Sequence, residues 1–87
     1  MSGLHALHNR LAPEIVTKLT KEVTAAGGAD ADLWLMLESI ALGVILVCER
    51  QFGATRETSI ESAEMLIEAV FERLGKIPPG ARPPVPR

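Results

Sequence analysis

Leu33-Trp-Leu-Met-Leu-Glu38-Ser-Ile-Ala-Leu-Gly43-Val-Ile-Leu-Val-Cys48 is the stretch whose reading decides the fold, because only Glu38, Ser39 and Gly43 in it are not apolar. Gly27-Gly28 before it supplies the left-handed conformation that ends a helix, and Asp30 or Asp32 is placed to cap the next one by accepting free backbone N–H groups. Gly53 offers the stop. The reading is a helix over about residues 31–52, ~33 Å long at 1.5 Å per residue, apolar almost all round.

Upstream, Leu4, Leu7, Leu11, Ile15, Leu19, Val23 and Ala26 recur every three or four residues and predict an amphipathic helix. Pro13 interrupts it, having no N–H to give, and on the wheel it falls roughly opposite the apolar stripe. The expectation is a short helix over 3–10, a kink or break, and a firm helix over 13–26. Downstream, Thr58-Ser59-Ile60-Glu61 has the form of a capping box, which starts a helix over 59–74. Its seam is Ile60, Ala63, Ile67, Val70 and Leu74, widened by Leu66 and Phe71, with Gly75 as the stop. From Ile77 the chain is rich in proline and reads as an extended tail over 77–87, behind a helical domain over 1–76. The fold class is all-α: a three-helix up-down-up hairpin that assembles into a homodimeric or higher helical bundle.

A partner is implied by the middle helix, since two neighbours cover about two-thirds of a central helix and this one is apolar on every side. Asp32, Ser39, Gly43 and Arg50 line up in a narrow stripe, and Ser39 with Gly43 lets a second backbone approach closely. The self-association surface read from this is Leu35, Met36, Ser39, Gly43, Leu46 and Val47, the crossing point of a two-fold dimer; the alternative is that the stripe is simply the least buried face. A membrane span is not expected. The apolar run is sixteen residues long, short of the ~20 that ~30 Å of hydrocarbon requires, it carries Glu38 near its centre, and neither flank has a Lys/Arg cluster.

Glu57, Glu61, Glu64, Glu68 and Glu72 fall on one flank of the third helix, and only Glu72 has a basic residue, Lys76, four positions on. Like charges at these spacings disfavour the isolated helix by a few tenths of a kcal/mol per pair. The flank reads either as a solvated acidic face or as a docking face for a basic protein, with Met65 a weak pointer to contact on the outer side. A carboxylate metal site is the third reading, weakened by the absence of histidine from that helix.

The remaining chemistry is sparse. His5 and His8 are three apart with no carboxylate or thiol nearby; Cys48 sits among aliphatics, where a thiol behaves as a small apolar side chain. Glu38 must reach solvent, pair with Arg50 or Arg56, or take a proton. Trp34 and Met36 are candidates to line a ligand pocket but read more simply as core, and Pro83 to Arg87 has the proline spacing that aromatic grooves read. Nine basic against eleven acidic residues give a net charge of −2 with no basic run, so nucleic acid is not an expected partner. One cysteine and no signal-like start point to the cytoplasm.

No nucleophile–base pair can be assembled, so the expected function is non-enzymatic, without cofactor or metal: a homo-oligomeric interaction module, adaptor or inhibitor. The alternative is an accessory protein holding an apolar small molecule or an apolar membrane-protein segment against helix two.

Overall fold

A computed structural model describes residues 3–82 of the chain, and it consists of three α-helices, α1 (Gly3–Ala25), α2 (Asp30–Phe52) and α3 (Arg56–Leu74), with no strand among the described residues. The chain is all-α, as its periodicities require. By contacts it divides into two compact units, one holding α1 with α2 as far as Leu37, the other running over Glu38–Ala81.

In the first unit, α1 ends in a Schellman motif. Gly27 takes φ +83, its N–H donates to the Thr24 carbonyl at 3.0 Å, and the Gly28 N–H reaches the Val23 carbonyl at 2.8 Å. A Cβ on Gly28 would stand 2.6 Å from Val23 Cγ1 and 3.0 Å from the Val23 carbonyl oxygen, so the turn needs glycine there for room as well. Four residues later Asp32 reaches back and accepts the Ala29 N–H at 2.8 Å, one half of a capping box at the start of α2.

The helix runs as one element through Pro13 without a break, and Pro13, placed by the wheel away from the apolar stripe, is the one buried residue of α1. A proline at this position forfeits only the bond to the Asn9 carbonyl and still has a helical φ.

In the second unit, Gly53 at φ +73 turns the chain and Thr55, not Thr58, caps α3. The Thr58 N–H donates to Thr55 Oγ1 at 3.1 Å, and the Thr55 hydroxyl donates to Thr58 Oγ1 at 2.9 Å. The helix therefore starts at Arg56, three residues before the expected start, because two threonines three apart compete for the cap and the outer one adds a turn. Beyond α3, Gly75 has a right-handed φ of −63 and is no left-handed stop. The chain instead closes a turn over 78–81, with the Ala81 N–H donating to the Pro78 carbonyl at 3.2 Å and Gly80 at φ +81. This part of the tail is thus turned rather than extended; Pro83 to Arg87 lies outside the described residues.

Candidate functional site

Three helices with this composition would be expected to share a core, and among the described residues they have none. Only Pro13 and Ser59 are buried, and the large apolar side chains from Leu4 to Ile77 that stand exposed are 39–82% accessible. The middle helix, expected to be buried, has no buried residue within the single chain. Its exposed apolar side chains include Trp34, Leu35 and Val44, which face different directions on the wheel.

A hydrogen-bonded polar cluster ties α2 to α3 across the Gly53 turn. Arg56 grips Glu49 with two hydrogen bonds, Nε to Oε2 at 2.7 Å and Nη2 to Oε1 at 2.9 Å, and the buried Ser59 hydroxyl donates to Oε2 at 2.8 Å. The Arg56 hydrogen bond first, and the Ser59 hydroxyl second, hold the Glu49 carboxyl at about 2, below its ordinary 4.5. Glu49 in turn raises the Arg56 guanidinium. The helices run antiparallel from this staple: stepping back along α2 to Ile45 and Leu42 is matched by stepping forward along α3 to Ile60 and Ala63. These residues, with Leu46, Arg56 and Ser59, line an open concavity of about 290 Å³.

This cluster was not found by sequence reasoning, which offered Arg56 to Glu38. Glu38 is exposed, and Arg56 is occupied within its own chain. No acid–base chemistry follows from the cluster. Its serine donates to a carboxylate already committed to an arginine, and the histidines that would act as a base are His5 and His8, whose nearest polar partner is Asn9 at 3.3 Å.

The residues read as a self-association surface are all uncovered. Leu35, Met36, Leu46 and Val47 are 44–62% exposed, and Ser39 and Gly43 are exposed too, with open space where a Gly43 Cβ would stand. Leu46 also lines the concavity, whereas Trp34 and Met36 do not. On α3 the acidic flank is exposed at Glu57, Glu61, Glu64 and Glu68, as is Met65; among the described residues Glu72 alone of its glutamates is ion-paired, with Lys76 just past the helix end at 3.7 Å. Among the described residues no three His, Cys, Asp or Glu side chains gather as a metal-binding group.

The apolar run is sixteen residues, but the helix containing it is 23 residues long, with a mean hydropathy of 2.0 over its best 18 residues and none of that window buried. By length and composition α2 reaches across a bilayer, a test that an apolar helix covered by protein passes equally. What stands against a span is Glu38 in mid-helix and the acidic residues at its start.

Compared with models of protein families, with curated proteins and with solved structures, the chain finds no match.

Proposed function

We propose that the chain is a non-enzymatic, cytoplasmic interaction module that works as a homo-oligomer, an adaptor or inhibitor, with α2 as its association element. The observation that carries this reading is the uncovered apolar surface. Three well-capped helices without a buried aliphatic side chain lack the main stabilising term of a small domain, and a second copy is the simplest source of cover. The exposed acidic flank Glu57, Glu61, Glu64 and Glu68, with Met65 beside it, is then the face left for a basic protein partner. Light scattering on the purified protein tests the first part: a homo-oligomer at micromolar concentration is expected, and a folded monomer would overturn it.

A second reading is favoured by one feature, the hydropathy of α2 together with the concavity beside it. In this reading the chain holds an apolar small molecule or the apolar segment of a membrane protein against α2. Native mass spectrometry separates the two, since a retained ligand mass supports the second and an empty oligomer the first.

A further inference from the structure

We propose that two copies of α2 pair antiparallel across a two-fold axis at the level of Ala41, with Ser39 of each copy against Gly43 of the other. This rests on the self-association reading and adds to it a register, a direction and a set of contacts. Asp32, Met36, Ser39, Gly43, Leu46 and Arg50 follow one another at spacings of four and three along α2, the heptad seam of a helix pair.

The seam is a chemical palindrome about position 41. Ser39 and Gly43 stand equally far from it, then Met36 and Leu46, then Asp32 and Arg50. Antiparallel pairing therefore sets small against small at the crossing, large apolar against large apolar on either side, and carboxylate against guanidinium at both ends. Leu35 and Val47, flanking the seam, obey the same symmetry.

Parallel pairing would instead put Asp32 against Asp32 and Arg50 against Arg50, the arrangement that opposite charges at the two ends of a seam disfavour. The side chains are free to respond. Met36, Leu46 and Val47 are exposed, Arg50 is exposed with no ion-pair partner among the described residues, and Asp32 uses Oδ2 for the Ala29 N–H. The match of carboxylate to guanidinium at both ends is what a second copy supplies and what a bilayer or a small molecule has no use for.

Disulfide trapping reads the register directly. In a Cys48→Ala background, Met36→Cys and Leu46→Cys are made on separate chains. Antiparallel pairing puts position 36 opposite 46 of the partner, while 36 and its own copy are offset by ~15 Å along the axis, beyond the ~7 Å that a disulfide tolerates. The mixture of the two proteins is expected to give a covalent heterodimer on oxidation, and neither protein alone a covalent homodimer.

A charge test needs no cysteine. Arg50→Asp should weaken the dimer roughly tenfold by facing two carboxylates across each end, and adding Asp32→Arg should restore it. Homodimer disulfides from each single variant, or indifference to Arg50→Asp, would overturn the antiparallel register while leaving self-association standing. A dimer that yields no disulfide in any combination would move the interface to another face and overturn the inference; a monomeric wild-type chain would sink both the inference and the reading beneath it.

Discussion

The second half of α2 has two faces that look alike in sequence and differ in the structure. On the side that meets α3, Ile45 and Glu49 are half-buried, Ile45 lining the concavity shared with α3 and Glu49 held by Arg56 and Ser59. On the opposite side Ser39, Gly43 and Val47 are exposed, with Leu46 between the two. Both faces are aliphatic and both belong to a helix with the same intrinsic propensity. What separates them is whether the chain itself supplies a neighbour, so a helix of this kind has its fold written on one face and its assembly on the other.

Substitutions chosen by face should therefore separate assembly from folding. The largest effect is expected from Val47→Glu on the exposed face, where an uncompensated charge in the interface costs about 3 kcal/mol, or roughly 100-fold in Kd. A dilution series followed by light scattering should show dissociation at higher concentration with helical circular dichroism retained. An unchanged oligomer would mean that the two faces do not differ in this way.

Ile45→Ala on the covered face should do the reverse. Truncating a buried Ile typically costs 2–5 kcal/mol, and Ile45 is only half-buried, so a loss of about 1–2 kcal/mol is expected in urea unfolding, with assembly otherwise intact. If Ile45→Ala and Val47→Ala destabilise equally, the distinction between the faces collapses.

The staple makes the covered face sensitive to acid. Because the Glu49 carboxyl is held down to about 2 in the folded chain from an ordinary 4.5, the unfolded chain binds the proton more readily between those values. Its contribution is full above about pH 4.5 and is lost as pH falls toward about 2. Glu49→Gln should flatten that part of the stability profile, read by thermal unfolding at a series of pH values. An unchanged acid limb would show that Arg56 and Ser59 do not hold the carboxylate in solution.

The three helices and both joints are legible in the sequence because each signal is local. Gly27 and Gly53 mark the turns, Asp32 caps, and the aliphatic spacings give the helical periods. The start of α3 is less legible, since Thr55 and Thr58 are equally good caps by type and only the extended backbone at Thr55, φ −84 and ψ 161, makes the choice. Thr55→Ala should cost about 1 kcal/mol and Thr58→Ala clearly less, measured by urea midpoint; the reverse order would return the cap to Thr58. Pro13 was misread because a wheel assigns an inside only relative to apolar neighbours. The staple was missed because Glu49, Arg56 and Ser59 lie seven and three residues apart across a turn, where helical spacing rules do not apply. The exposed stripe was legible as a pattern of small and large residues, but exposure is a property of the packing that remains after local structure is formed.

The smallest expected effect lies on α3, whose acidic flank has only the Glu72–Lys76 pair to offset it. Glu64 and Glu68 are four apart and like-charged, with Glu61 and Glu57 continuing the row, so the double change Glu64→Lys and Glu68→Lys turns the 61–64 and 68–72 repulsions into attractions at i,i+3 and i,i+4 and leaves 64 and 68 like-charged. The helix should gain a few tenths of a kcal/mol, seen as a slight rise in Tm. If the flank is a docking face, binding of a basic partner should fall while stability rises, and that opposition is the informative result: a solvated face has no reason to keep a row of charges that its own helix would be steadier without.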